Sequence, residues 1–150
     1  MRNVARVLHL FRAPKKRVAM EELREARLVE NAGIAGCAHA RPGGNRQVLL
    51  VDVETLERMD LAPGMIRENI TTEGLDVNAL QVGEKLQLGE AELQVAMVCE
   101  PCELMENIRT GLMDELHGKR GMLCRVLRGG VIRPGDAIAL QQLRESTNDF

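Results

Sequence analysis

The chain has 150 residues, 45% hydrophobic and 28% charged, with a formal net charge of -2, which is the profile of one globular domain spanning 1–150. The slight acidic excess speaks against a nucleic-acid partner held by phosphate neutralisation, and two Phe with no Trp or Tyr leave no base-stacking platform. Four Cys are too few for a disulfide scaffold, no apolar run reaches membrane-spanning length, and MRNVARVLHLFRAPKKR is no secretory signal, so a reducing, cytoplasmic setting is expected.

Val4 to Phe11 reads as a strand with imperfect alternation, followed by a basic turn, Arg12-Ala-Pro-Lys-Lys-Arg17, of the kind that usually forms a solvated loop. Arg24 to Glu30 alternates polar and apolar as a half-buried strand does. Asn31 to Asn45 is rich in Gly, Asn and Pro and reads as a long loop, the kind of segment that often carries function. Arg46 to Asp52 is a continuous apolar strand, expected to be buried on both faces. Glu54 to Asp60 predicts a short helix ended by Pro63-Gly64, and Met65 to Thr72 a short, unusually polar extended piece.

Two strands follow, Glu84 to Leu88 and Ala91 to Val98, with Ala91, Leu93, Val95 and Met97 on one face of the second. After Cys99-Glu-Pro-Cys102, the spacing of Leu104, Ile108, Leu112 and Leu116 predicts a helix over 103–116, with Gly118 just past its end. The last strands are Met122 to Leu127 and Ala137 to Leu143, joined through Gly129-Gly130 and Pro134-Gly135. One turn-and-strand device is used twice, at Leu80 to Leu88 and Ile132 to Leu140. Many short strands with Gly turns point to a mainly β fold, a barrel or a sandwich.

Cys102 stands at a strand-to-helix junction, where unpaired N–H groups and the helix dipole favour a thiolate, the form that attacks or binds soft metals. Cys99 and Cys124 fall inside strands and read as small buried hydrophobes. Two other chemistries are open to Cys99-x-x-Cys102: a structural zinc site with Cys37 and His39, and a redox dithiol. The first lacks two tight ligand pairs, and the second lacks the βαβ context of a thioredoxin-like site. Arg46, Arg67, Lys119 and Arg120 flank apolar segments or lie in loops, and the guanidinium fork suits phosphate. Asn69, Thr71 and Thr72 can also bond an anion, although Asn69 serves equally well to fix a turn. Of the three His, only His39, in the Gly-rich loop, is a site candidate; no Ser-His-Asp arrangement, HExxH or P-loop is present.

In order and spacing, five blocks resemble the MOSC family, named for the C-terminal domain of molybdenum cofactor sulfurase, and in particular its small stand-alone bacterial members. They are Arg46-Gln-Val-Leu-Leu50; Pro63-Gly64 through Glu68-Asn69-Ile-Thr-Thr72 and Gly74-Leu-Asp76; Leu80-x-x-Gly83; Cys99-Glu-Pro-Cys102; and Arg120-Gly121 through Gly129-Gly130 to Pro134-Gly-Asp136. The resemblance implies a β-barrel of the pyruvate-kinase small-domain type with a few short helices. It also implies a molybdenum cofactor (molybdopterin) bound through one Cys, here Cys102, with Arg46, Arg67, Asn69, Thr71, Thr72 and Arg120 around its phosphate and pterin edges. Family members usually carry Gly-Asp where this chain has Gly36-Cys37. The implied roles are a carrier module handling cofactor or sulfur, or a reductase of N-hydroxylated compounds. Either role needs a separate electron donor or sulfurtransferase partner.

Overall fold

The structure is a computed structural model that describes residues 4–141. Eleven strands dominate it: β1 (Arg6–Arg12), β2 (Glu21–Leu23), β3 (Ala26–Val29), β4 (Gly33–Ile34), β5 (Val48–Asp52), β6 (Ile70–Glu73), β7 (Lys85–Leu88), β8 (Ala91–Val98), β9 (Met122–Arg128), β10 (Gly130–Ile132) and β11 (Ile138–Gln141). Two short helices, α1 (Val53–Arg58) and α2 (Leu112–Glu115), and two single 3-10 turns accompany them. The fold is therefore mainly β, as expected. The final two residues of the expected last strand, Gln142 and Leu143, lie outside the described residues. Among the described residues no helix is long and apolar enough to cross a membrane.

The larger sheet runs β11-β7-β8-β9-β5-β6-β1-β2, and the smaller one β10-β3-β4. Within the larger sheet only β5 and β6 pair in parallel; the other pairs are antiparallel. The closed barrel implied by the resemblance is not formed by this ladder, which ends at β11 and β2. The two regions do approach. Arg6 and Ala137 form an isolated bridge, and backbone bonds run from Val7 to Asp136 and from Ile138 to Ala5. The two echoed segments pair with each other: β7 and β11 are antiparallel neighbours, with Leu88 opposite Ile138 and Leu86 opposite Leu140.

β5 divides the interior. Its continuous apolar run is buried on both faces, as expected. Val48 and Leu50 enter a main core with Leu10, Ile34, Leu86, Leu93 and Val126. Leu49 and Val51 enter a second cluster with Leu56, Ile66, Met105, Leu112 and Leu123. Each fully buried aliphatic chain of this kind contributes about 1.5–3 kcal/mol. In β8, Ala91, Leu93 and Val95 share the main core, but a register shift between Val95 and Met97 turns Met97 to the second cluster. The expected single face thus ends at Val95.

The helix expected over 103–116 is two pieces: a 3-10 turn at Glu103–Asn107, and α2. Gly111 breaks it, with φ of 87°, a left-handed conformation that suits glycine. The Glu106 carboxylate accepts from Gly111 N (2.8 Å) and Met113 N (2.9 Å), satisfying the start of α2. Those two bonds also hold the Glu106 carboxyl below its usual range. Leu104, assigned by spacing to a buried stripe, is 46% exposed, and its neighbour Met105 is buried instead.

Candidate functional site

The second cluster opens to solvent at a cavity of about 240 Å³. Its wall combines side chains from five segments. The Gly-rich loop gives His39, Arg41 and Arg46; β5 gives Leu49; the turn before β6 gives Arg67 and Asn69. The segment after β8 gives Cys99 and Cys102, and the approach to β9 gives Arg120. Four guanidinium groups line the cavity and no carboxylate does, although the whole chain carries -2. This is a local cationic site on a weakly acidic protein.

Arg120 is the most buried of the four, at 8% exposure. Its Nη1 donates to Glu100 O (3.1 Å) and to Cys102 Sγ (3.8 Å), and its Nη2 donates to Ile66 O (3.2 Å). Its Nε is buried with no acceptor. A guanidinium held by carbonyls and a thiol, with one donor left over, fits a site that takes an anion. Gly121 fixes this position. Its φ is 101°, and a Cβ there would overlap the Leu50 carbonyl oxygen. Asn78 Oδ1 accepts from Gly121 N (3.0 Å), and Gly121 O accepts from Cys99 N (3.0 Å).

Cys102 is half-buried, whereas Cys99 and Cys124 are buried. Burial pushes the Cys99 thiol up, opposed in part by Arg120 and Arg46, and pushes that of Cys124 up to about 12. Both are thiols rather than thiolates at neutral pH, in keeping with their reading as buried hydrophobes; Cys99 nonetheless lines the cavity. The helix-dipole argument for Cys102 does not survive, because only a five-residue 3-10 turn follows it. The neighbouring charge is that of Arg120. Among the described residues no group of three or more His, Cys, Asp or Glu is placed to hold a metal ion, so Cys37, His39, Cys99 and Cys102 do not make the four-ligand zinc site.

Arg67 adopts φ of 67°, unusual for a side-chain-bearing residue. It is anchored by Nη1 donating to Val18 O (2.7 Å), and its Nη2 lies 3.5 Å from His39 Nε2. Burial lowers the His39 pKa, and Arg67, Arg41, Arg120 and Lys16 lower it further, so the ring is neutral near pH 7 and able to accept from Arg67.

Of the residues named from sequence, Cys102, Arg46, Arg67, Asn69 and Arg120 meet at this cavity, with His39. Asn69 is committed to the fold: Oδ1 accepts from Leu49 N (2.9 Å), and Nδ2 donates to Phe11 O (3.2 Å) and Cys37 Sγ (3.5 Å). Thr71 and Thr72 do not line the cavity. Both are fully buried, and Thr71 Oγ1 donates to Glu68 Oε2 (2.9 Å), so the hydroxyls of this polar block face inward. Lys119 is exposed and also lies off the cavity. Arg41 was not anticipated. Gln47, 1% exposed, places it: Nε2 donates to Arg41 O (3.2 Å) and Asn31 Oδ1 (3.2 Å), while Oε1 accepts from Val126 N (2.9 Å).

The sequence profile of the MOSC domain matches residues 42–139. The chain is similar in fold to the YuaD protein from Bacillus subtilis, with TM-score 0.81 and 20% identity over 96% of this chain and 99% of that one. It is also similar to YiiM from Geobacillus stearothermophilus, with TM-score 0.74 and 21% identity over 92% of this chain and 75% of that one. For YiiM from Escherichia coli the TM-score is 0.66, with 19% identity over 96% of this chain and 71% of that one. No curated protein matches the chain significantly.

Proposed function

The chain belongs to the MOSC domain family, and from that premise we propose that it binds a molybdenum cofactor of the molybdopterin type in the arginine-lined cavity, with Cys102 as the metal ligand. One observation carries this reading: a half-buried thiol lies beside a buried, carboxylate-free guanidinium that keeps a spare donor. The donor set suits the group. A soft sulfur takes the metal, and Arg41, Arg46, Arg67 and Arg120 meet phosphate through charge-assisted bonds. When bound, the cofactor supplies two-electron redox chemistry. The protein's part is to hold the phosphate, to keep the Cys102 sulfur beside a fixed positive charge, and to wall the site with Leu49 and Leu123.

The role that follows first is a carrier module for cofactor or sulfur, working with a separate sulfurtransferase or electron donor. Four free thiols suit a reducing compartment such as the cytoplasm. A second role, reduction of N-hydroxylated compounds, is favoured by a second recess that shares Arg67 and Leu104 with the cofactor cavity. In that reaction the N–O bond breaks. Two electrons from the donor partner and two protons from solvent leave the oxygen as water and the nitrogen reduced.

The test is metal and pterin analysis of protein made in a host that synthesises the cofactor, beside Cys102→Ser. Near-stoichiometric molybdenum and pterin, lost in the variant, is the expected result. Unchanged molybdenum in Cys102→Ser would overturn the ligand assignment.

A further inference from the structure

The second recess, about 570 Å³, is larger than the cofactor cavity and different in character. Met65, Leu104, Met105 and Ile108 give it an apolar floor and rim, and its charged lining residues are Arg17 and Arg67. Met65 and Leu104 are 47% and 46% exposed, large apolar groups left open at the rim. Leu104 stands two residues beyond Cys102, and with Arg67 it separates the two cavities. The bond from Arg67 Nη1 to Val18 O (2.7 Å) anchors this partition.

The exposed Met65 thioether beside two guanidinium groups, with no carboxylate in the lining, favours a particular kind of occupant. Methionine sulfur packs well at the edge of an aromatic ring, and Arg stacks on its face. The lining contains no aromatic side chain of its own to engage these groups. An anionic group on the ligand has Arg17 to meet, at the solvent side of an exposed turn.

We propose that this recess binds a small aromatic molecule carrying an anionic group, with Arg17 taking the anion, Met65, Leu104 and Ile108 taking the ring, and the far end of the ligand directed past Leu104 toward Cys102. It defines the substrate class of the reductase reading and rests on that reading only for the chemistry; binding to the recess is a property of the cofactor-free chain.

The experiment titrates benzoate, and separately cyclohexanecarboxylate, into protein labelled at the methionine methyl groups. Benzoate is expected to produce saturable ring-current shifts at the Met65 and Met105 methyls, with cyclohexanecarboxylate binding several-fold more weakly. Arg17→Glu and Leu104→Asp change exposed side chains and are each expected to weaken benzoate binding at least tenfold, while Lys119→Ala, on the surface away from both cavities, leaves it unchanged. Absence of saturable shifts at these two methyls, equal binding of the two acids, or indifference to both rim variants would overturn the assignment. Benzoate binding without molybdenum or pterin loading removes the proposed function and leaves the recess; loading without benzoate binding does the reverse.

Discussion

Arg120 Nη1 lies 3.8 Å from the Cys102 sulfur while the same guanidinium donates to the carbonyls of Glu100 and Ile66. The charge beside the thiol is thus fixed by backbone contacts rather than by a counter-ion. Arg120→Met removes that charge and a charge-assisted contact worth about 1.5–3 kcal/mol, a loss of roughly 10- to 150-fold in anion affinity. Stability responds less, because relief from burying a charge offsets two lost carbonyl bonds. Calorimetric titration with pyrophosphate beside a thermal melt separates the effects. Weakened binding with a melting shift of a few degrees is expected, and unchanged pyrophosphate affinity would take Arg120 out of the site.

Cys37 sulfur accepts three N–H groups: Ala13 N at 3.3 Å, His39 N at 3.4 Å and Asn69 Nδ2 at 3.5 Å. Sulfur is a weak acceptor, whereas a carboxylate meets three donors well. The family's usual Asp is therefore accommodated here. Cys37→Asp is expected to stabilise the fold near pH 7, by about 1 kcal/mol. Cys37→Val leaves Ala13 N and His39 N without this acceptor and Asn69 Nδ2 with Phe11 O alone, and costs about 2 kcal/mol or more. Denaturant unfolding of both variants reads the two signs directly; a stable valine variant would show that the sulfur contacts carry no weight.

How much of this was legible in the sequence depends on how local each determinant is. β5 was, because a five-residue run buried on both faces leaves no ambiguity of period. β2, β4 and β10 were not: two or three residues contain no period to read, and partner strands define them. The helix over 103–116 failed because a 3.6-residue period in four positions outweighed Gly111, although glycine at a left-handed turn, followed by Glu106 capping, decides the chain's path. At the site, Arg46, Arg67, Arg120 and Cys102 were visible as residue types suited to an anion and a metal. Arg41 was hidden, since its place depends on a Gln47 bond formed only when β5 meets β9. Thr71 and Thr72 lie off the cavity, and the sequence did not reveal this because a hydroxyl next to apolar residues reads the same whether it faces a ligand or, as Thr71 does, a buried Glu68.

Glu68 is fully buried, with Oε2 accepting from Gly64 N (2.7 Å) and Thr71 Oγ1 (2.9 Å) and Oε1 unpartnered. Burial raises its pKa, opposed by these hydrogen bonds and by His9. A carboxyl raised in the folded state holds its proton longer than in the unfolded chain. Its contribution is fully present below the ordinary value of 4.5 and is lost as pH rises through the folded pKa. Glu68→Gln keeps an oxygen acceptor and removes the ionisation. The variant is expected to gain stability relative to the parent as pH rises from 5 to 8, seen as diverging melting temperatures. Parallel melting curves across that range would show that Glu68 does not titrate there.

His39 is held neutral by burial and by Arg67, Arg41, Arg120 and Lys16, all of which lower its pKa. For folding, the sign is that of a base depressed in the folded state: stability is full above 6.5, its ordinary value, and is lost as pH falls toward the folded pKa. For binding the sign reverses. An anion among the arginines cancels the field that keeps the ring neutral, so the His39 pKa rises in the complex and binding takes up a proton. Affinity therefore increases as pH falls through the interval between the two values, by at most about tenfold per pH unit for one proton. Sulfate is the suitable probe, because its own charge is constant over this range. Calorimetry in buffers of different ionisation enthalpy counts the protons directly. Fractional proton uptake near pH 6.5 is expected for the parent and none for His39→Gln, whose amide still accepts from Arg67. Equal proton counts in the two proteins would place the titrating group elsewhere.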